Sequence, residues 1–236
     1  MLERGWATEI HGAYPKLADL GVCIGNADGL GPTRRAELLS SASLLGIRDP
    51  SSDVLILNSP DFPDSMTTAW PIKKIVETLE NAFKISTSSS SIDVLITFDA
   101  GGISGHANHI SLYNGARHWL NKITKDRPGH DSPVELYTLT SIPIWRKYVS
   151  ILDAPYTLFK GVMINIFDRM QKSNRKGSKT GLIPSKILFV SPPWDVLKGQ
   201  RAMVYGHKSQ MRWFRWGWIG LGRYMVVNDL RREVVR

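Results

Sequence analysis

The chain has 236 residues, of which 42% are hydrophobic and 22% are charged, and this combination excludes a disordered chain and a fibrous repeat. The length is sufficient for one sizeable hydrophobic core. The formal net charge of +9 predicts a negatively charged partner, such as nucleic acid, an anionic membrane surface or a phosphorylated substrate.

The front of the sequence shows no targeting or membrane segment. Residues 1–21 contain neither the apolar core of a signal peptide nor a run of about 18 apolar residues. Cys23 is the only cysteine, which excludes an internal disulfide framework and favours a reducing compartment. We therefore expect no membrane-spanning helix at this end.

Continuous apolar runs predict strands that are covered on both faces, as in a parallel sheet. These runs lie at 53–58, 93–99 and 186–191. Residues 134–142 alternate more and predict a further strand nearer an edge of the sheet. Strands that alternate with helices indicate an α/β fold with a mostly parallel sheet and helices on both faces.

Helices are predicted between the strands, because apolar residues recur there at spacings of three and four. The predicted helices cover 33–47, 70–83, 106–120 and 195–214. Gly46 is expected to end the first of them, and the last is expected to carry His207.

One stretch combines groups that can perform chemistry. Asp99 ends a predicted strand, the glycines of 101–105 allow a sharp turn, and His106 and His109 follow in the first turn of a helix. Residues three apart are neighbours on a helix, so the two imidazoles should lie side by side at the carboxyl edge of the sheet. This spacing favours a metal site or an acid/base site. The alternative is a pair of solvated histidines without a role.

Several segments, in order, resemble one enzyme family. They are GNADGLGPTRRAELLSSASLLGI at 25–47, DFPD at 61–64, TFDAGGISGHANHISLYNGAR at 97–117, LTSIPIWRKYVSILD at 139–153 and HKSQMRWFRW at 207–216. Together they resemble the LmbE-like de-N-acetylases, and among these the branch that acts on N-acetylglucosaminyl-phosphatidylinositol in glycosylphosphatidylinositol-anchor synthesis.

The resemblance implies a Rossmann-like fold that holds one zinc and hydrolyses the acetamide of the lipid-linked sugar, giving glucosaminyl-phosphatidylinositol and acetate. In the family's G-H-x-x-H segment the second histidine is a zinc ligand, which maps to His109. The first stabilises the tetrahedral intermediate and maps to His106. The resemblance also implies a location at the cytosolic face of the endoplasmic reticulum membrane.

The sequence departs from the family at one motif. The family's first strand ends in A-H-P-D-D-E, which supplies further zinc ligands and the general base, and this string is absent here. His11 is the only histidine ahead of the matching segments, and no paired carboxylates follow it. We therefore expect residues 1–24 to be an atypical segment before a domain at 25–236, with the first strand missing, zinc bound weakly and little deacetylase activity. A noncatalytic paralogue that binds lipid-linked sugar or a protein partner is the alternative.

Four further residues are candidates for substrate binding. Arg34 could pair with the substrate phosphate, and Asn26 could contact the sugar. Asp99 could orient a histidine or cap its turn, and His207 belongs to the family's H-x-S-Q stretch. For Arg34 the alternative is a solvated arginine, and for Asn26 and His207 it is a structural role.

Two segments predict association with a membrane surface. The tail at 211–227 mixes tryptophan with arginine, as interfacial elements do, and the apolar stretch at 148–167 is interrupted by polar residues, so it should lie on a membrane and not cross it. The alternative for the tail is that its tryptophans cover the sheet and its arginines face water. The residues concerned in the tail are Arg212, Trp213, Arg215, Trp216, Trp218 and Arg223. Binding to nucleic acid is not expected, because no recognised motif accompanies the dispersed basic residues.

Overall fold

The computed structural model describes residues 31–57, 59–83, 92–125, 132–173 and 184–234. The helices in these ranges are α1 Gly31–Leu45, α2 Pro50–Asp53, α3 Ile72–Phe83, α4 Ala107–Lys125, α5 Ile144–Lys147, α6 Ala154–Ser173, α7 Pro193–Gly206 and α8 Trp213–Leu221, with a distorted helical turn at Gly102–Gly105. The strands are β1 Val94–Phe98, β2 Glu135–Leu139, β3 Lys186–Val190 and β4 Val227–Glu233. Short 3-10 turns occupy Ser150–Asp153, Lys208–Gln210 and Arg223–Met225.

The four strands form one sheet in the order β1-β2-β4-β3. β1 and β2 are parallel, and β4 runs antiparallel to β2. The backbone N–H of Ser191 donates to the carbonyl of Val226, and that of Arg232 donates to Ser185, so β3 also runs antiparallel to β4. β1, β2 and β3 therefore point the same way, and the predicted α/β class with helices flanking the sheet is confirmed.

The position of β2 differs from the expectation of a strand near an edge. β1 and β4 pair with its two sides, and four of its five residues are buried. The sequence did not indicate the partner β4, because its segment 227–233 carries Asn228 and Asp229 among its buried residues together with two arginines. Strand patterns are recognised by apolar alternation, which this segment lacks.

The strand predicted at 53–58 is wrong. The side chain of Asp49 accepts a hydrogen bond from the Ser51 N–H and caps the N-terminus of α2. Asp53, the first residue of the predicted strand, is the last residue of this helix. Val54 makes only an isolated bridge, and residues 55–57 have no regular structure. Val54 is buried in an apolar cluster with residues of α1, so the apolar run reflects helix packing at this point.

The chain divides into two compact units. Unit one comprises Met1–Phe62, Ile142–Leu158 and Leu188–Asn228, and unit two comprises Pro63–Ser141, Phe159–Ile187 and Asp229–Arg236. The domain boundary expected at residue 24 lies outside the described residues, so it stays a prediction.

In unit one, α1 packs against α7 through the predicted apolar stripe. Gly206 lies so close to α1 that an added Cβ would come within 2.7 Å of the Cα of Ser41. α1 ends as predicted at Gly46, whose φ is +90°, and the Ile47 N–H returns to the carbonyl of Ala42 at 3.1 Å. This is a Schellman motif, in which glycine takes the left-handed position without steric cost.

The late helix predicted for 195–214 is interrupted in the structure. α7 ends at Gly206, and His207 leaves the helical region with φ −138° and ψ 46°. A 3-10 turn, Lys208–Gln210, follows before α8 begins at Trp213. His207 therefore lies in a turn after a helix and not within one.

In unit two, α3 packs against α4, and α4 packs against β1. Gly115 of α4 meets Ile75 of α3, and a Cβ at Gly115 would lie 2.4 Å from the Ile75 Cγ2 atom. Trp119 and Leu120 of α4 are fully buried. This packing fixes the helix that begins immediately after His106.

Candidate active site

The carboxylate of Asp99 connects the ends of β1 and β2. It accepts hydrogen bonds from the backbone N–H of Gly101 at 3.0 Å and of Ser141 at 2.6 Å, and from the Ser141 hydroxyl. The two parallel strands end at the same edge of the sheet, so a residue just after β2 can reach the turn after β1. Asp99 therefore caps the turn that leads to the histidines.

The turn after Asp99 contains strained backbone. Ile103 is buried with φ +66°, a conformation that is rare for a β-branched residue. Its N–H donates to the Ser141 hydroxyl oxygen at 2.8 Å. Gly102 and Gly105 also have positive φ, at 55° and 73°. Such strain persists only where surrounding contacts determine it, and Ser141 supplies one of them.

His109 is a half-buried, neutral imidazole in one defined tautomer. Its Nδ1 lies 3.1 Å from the carbonyl oxygen of Gly102, and a carbonyl can only accept, so Nδ1 carries the proton. Its ring stacks on Phe98, with the centroids 3.7 Å apart. Burial lowers the pKa of His109 to about 3. The ring therefore keeps a lone pair on Nε2, which is the form that binds a metal or accepts a proton.

His106 has the opposite arrangement. The backbone N–H of Asn108 donates to Nδ1 of His106 at 3.3 Å, so the neutral ring carries its proton on Nε2. Partial burial lowers the pKa of His106, and the negative charge of Asp64 opposes that shift. The rings of His106 and His109 stack with centroids 4.4 Å apart, so they are neighbours as predicted. The predicted position of His106 in the first helical turn is wrong, because its backbone is extended, with φ −67° and ψ 119°, and α4 begins at Ala107. One ring offers an N–H donor and the other a lone pair.

The segment before α3 supports the start of α4. The side-chain amide of Asn108 donates to the carbonyl oxygen of Pro63 at 3.1 Å. The backbone N–H of Ala107 donates to the carbonyl oxygen of Met66 at 3.2 Å. The hydroxyl of Ser111 accepts from the Trp70 N–H at 2.9 Å. Sequence reasoning missed these supports because they join positions about forty residues apart.

Ser141 was also missed as a site residue. Its position in the sequence is a signal that could have identified it. Ser141 lies just after β2 and Asp99 just after β1, and parallel neighbouring strands bring the residues after their carboxyl ends to one edge of the sheet.

The described residues do not by themselves make a catalytic zinc site. A catalytic zinc takes about three protein ligands. Within the described ranges, no group of three or more His, Cys, Asp or Glu residues could hold a metal ion. His109 is suited to be one ligand, because its Nδ1–H donates to a carbonyl and thereby orients Nε2 as in many metal-bound histidines. No step of the chemistry below is therefore assigned to a metal.

The other predicted site residues lie in unit one or outside the described ranges. Arg34 is half-buried in the first turns of α1. His207 is buried, and its Nδ1 lies 3.2 Å from the side-chain amide nitrogen of Gln210. Asn26 falls outside the described residues. The roles of Arg34, Asn26 and His207 in binding substrate stay predictions.

Glu37 of α1 holds the H-x-S-Q turn of unit one. Its carboxylate accepts from the backbone N–H of Ser209 at 2.6 Å and from the Ser209 hydroxyl at 2.7 Å. Burial alone would raise the pKa of Glu37. The hydrogen bonds from Ser209 and from the side-chain amide of Gln210 outweigh that effect and lower the pKa overall. The turn that carries His207 is thereby tied to α1.

An α/β sheet with a glycine turn and a G-H-x-x-H segment after strand β1 is the arrangement of the LmbE-like class of de-N-acetylases. The model of the PIG-L family, described as GlcNAc-PI de-N-acetylase, matches residues 7–120. The chain belongs to the N-acetylglucosaminyl-phosphatidylinositol de-N-acetylase family.

The similarity extends over most of the chain. A protein of Arthroderma benhamiae named N-acetylglucosaminyl-phosphatidylinositol de-N-acetylase is 46% identical over 233 residues, covering 89% of this chain and 69% of that protein. A probable enzyme of the same name from Schizosaccharomyces pombe is 37% identical, and the match covers 88% of this chain and 71% of that protein. The Bos taurus enzyme of that name is 32% identical, and the match covers 87% of this chain and 68% of that protein.

Proposed function

We propose that the chain hydrolyses the acetamide of N-acetylglucosaminyl-phosphatidylinositol, giving glucosaminyl-phosphatidylinositol and acetate in glycosylphosphatidylinositol-anchor synthesis. Membership of the family and the names of its curated relatives support this reaction. The observation that carries it is the stacked pair His106 and His109, in which one ring offers a proton and the other a lone pair.

The chemistry uses these two rings differently. When water adds to the acetamide carbon, the carbonyl oxygen becomes an oxyanion, which a fixed N–H donor stabilises. The Nε2–H of His106 is such a donor. The proton that the attacking water releases passes to the sugar nitrogen, the C–N bond then breaks, and the sugar amine leaves while acetate forms. The low pKa of His109 makes it a weak general base at neutral pH, so we assign it the role of a metal ligand.

The zinc implied by the family resemblance enters only as a proposal about His109. A zinc ion would polarise the amide and activate water when bound. Because the A-H-P-D-D-E motif, which supplies further zinc ligands in the family, is absent from the sequence, we propose that this chain holds the metal weakly.

The substrate class also suggests where the protein works. A phosphatidylinositol-linked sugar is held in a lipid bilayer, so we propose that the chain acts at a membrane surface, on the cytosolic face of the endoplasmic reticulum. No helix within the described ranges is both long and apolar enough to span a bilayer.

The test is an assay of the full chain with N-acetylglucosaminyl-phosphatidylinositol in vesicles, with acetate release as the readout. We expect His106→Ala to lower kcat about 100-fold to 1,000-fold, as expected for loss of an oxyanion donor. His118→Ala is the matched control, since His118 is exposed on α4, the helix that begins after His106. Saturable binding of the glycolipid without acetate release would favour the noncatalytic alternative, which the missing set of metal ligands in the described ranges motivates.

A further inference from the structure

Unit one exposes large apolar side chains on three short elements. These are α5, the 3-10 turn Ser150–Asp153 and α8. Leu152 is 79% exposed and Trp213 is 86% exposed. We call the set the apolar face, and its members are Ile144, Trp145, Ile151, Leu152, Trp213 and Trp216.

The three elements converge on one buried turn. α5, Ser150–Asp153 and α8 each contact the 3-10 turn Arg223–Met225, whose residues are all buried. The three elements are therefore neighbours of the same buried turn in unit one. Isolated apolar residues on a surface need no explanation, but a cluster rich in tryptophan marks an interaction site.

A buried network of charges links α5, the turn Ser150–Asp153 and the turn Arg223–Met225. Asp153 is 5% exposed and Arg223 is 0% exposed. The Asp153 carboxylate accepts from Nε of Arg146 at 2.7 Å and from Nη2 of Arg146 at 2.8 Å, and it also pairs with Nε of Arg223. Thr157 joins both guanidinium groups and the carboxylate. The parts of the apolar face on α5 and Ser150–Asp153 are therefore anchored to the interior by ion pairs, and α8 contacts the same turn, Arg223–Met225.

This network corrects part of the sequence analysis. Arg223 was expected at a membrane surface or in water, but it lies inside the protein and pairs with Asp153. Asp153, one of the polar residues in the apolar stretch at 148–167, is also buried and paired in this network. Trp213 and Trp216 remain exposed, whereas Trp218 is half-buried.

The charges beside the apolar face are of one sign. Arg212 is exposed immediately before α8, and Lys147 and Arg215 are half-buried on α5 and α8. Within 144–153 and 212–225 the only acidic residue is Asp153, which is buried and paired. Tryptophan rings settle at the headgroup level of a bilayer, and nearby cations attract anionic lipids. This combination fits an anionic membrane better than a protein partner of mixed charge.

We propose that the apolar face docks onto the surface of an anionic lipid bilayer, with the side chains of Trp145, Leu152 and Trp213 entering the headgroup region. The inference rests on the proposed function only in that docking would bring the enzyme to a lipid-linked substrate. The contact itself requires no turnover.

The experiment measures binding of the full chain to vesicles of phosphatidylcholine alone and of phosphatidylcholine with equimolar phosphatidylserine, without substrate. We expect stronger binding to the anionic vesicles. Trp213→Ser and Leu152→Ser should each weaken that binding about tenfold or more, because each removes the burial of a large apolar side chain. Val234→Ser is the control, since Val234 is exposed and apolar but lies in unit two.

A second variant isolates the electrostatic contribution. Arg212→Glu should weaken binding to the anionic vesicles and leave binding to phosphatidylcholine unchanged. All the altered side chains are exposed, so thermal unfolding should match that of the unaltered chain, which excludes misfolding as the cause. Binding that Trp213→Ser and Leu152→Ser leave unchanged would overturn the proposal. A second outcome would also overturn it: the unaltered chain self-associates and does not bind vesicles, and both variants abolish the self-association. In that case a second copy of the chain covers the apolar face.

A soluble substrate separates this inference from the proposed function. If both hold, Trp213→Ser lowers acetate release from glycolipid in anionic vesicles but not from a water-soluble N-acetylglucosaminyl-inositol phosphate. If vesicle binding depends on Trp213 while neither substrate is hydrolysed, the docking surface stands and the deacetylase function fails.

Discussion

The backbone N–H and the hydroxyl of Ser141 both donate to the carboxylate of Asp99, although the two residues are 42 positions apart. The same hydroxyl oxygen accepts from Ile103, the strained residue of the turn before His106. The ends of two parallel strands thus hold one turn in place. The positions of both histidines depend on that turn.

Removal of the Ser141 hydroxyl should loosen the turn. We expect Ser141→Ala to lower the free energy of unfolding by about 1–3 kcal/mol, because the partly buried N–H of Ile103 loses its acceptor. Acetate release should fall with it. Urea unfolding monitored by circular dichroism measures the stability, and Ser40→Ala on the exposed side of α1 is the control. Equal stability of the two variants would contradict the role given to Ser141.

Alanine substitutions at two glycines of the turn distinguish the effect of backbone strain from that of a steric clash. Gly102 and Gly105 both have positive φ, so alanine at either costs about 1–2 kcal/mol. A Cβ at Gly102 would also lie 2.9 Å from Cγ1 of Ile110 and 3.3 Å from Cβ of His109, whereas a Cβ at Gly105 meets nothing within 4 Å. Gly102→Ala should therefore lower kcat much more than Gly105→Ala. Steady-state kinetics of both variants test this, and equal losses would show that strain alone matters.

Replacement of His109 should remove metal binding. We expect His109→Ala to reduce bound zinc, measured by elemental analysis after dialysis against a defined free zinc concentration. His118→Ala should bind as much as the unaltered chain. Because the readout is metal content, an inactive chain can still be tested. Unchanged zinc in His109→Ala would show that this imidazole is not a ligand.

The Asp153 network predicts a stability change in acid. Burial alone would raise the pKa of Asp153, but hydrogen bonds from Arg146, Thr157 and Arg223 lower it to about 2. A lowered pKa adds stability that is present above the unfolded value of 3.8 and is lost as the pH falls toward the folded value. The shift corresponds to roughly 2 kcal/mol.

Asp153→Asn isolates this contribution. At pH 6 the variant should be about 3–5 kcal/mol less stable, because two guanidinium groups lose their shared carboxylate. The difference between the variant and the unaltered chain should shrink from about pH 4 to pH 2, as measured by urea unfolding at a series of pH values. A difference that is constant over this range would mean that Asp153 does not titrate in the folded protein as described.

Local patterns were sufficient for much of the fold. The run at 93–99 predicted β1, the three- and four-residue apolar spacing predicted α1, α3 and α4, and Gly46 ended α1 as expected. Each of these signals comes from residues within one or two turns of each other. Periodicity could not indicate that β2 is an inner strand, because its neighbour β4 lies about ninety residues later and has buried polar residues.

The spacing of His106 and His109 predicted that the two imidazoles would be neighbours, and they are, although His106 immediately precedes the helix and only His109 lies in its first turn. The tertiary structure decided which nitrogen of each ring carries the proton. It also decided that Asp99 is held by Ser141, and that Arg223 is buried beside Asp153 and not exposed to lipid. These outcomes depend on burial and on hydrogen-bond partners that the folded chain brings together, and a sequence does not specify either one locally.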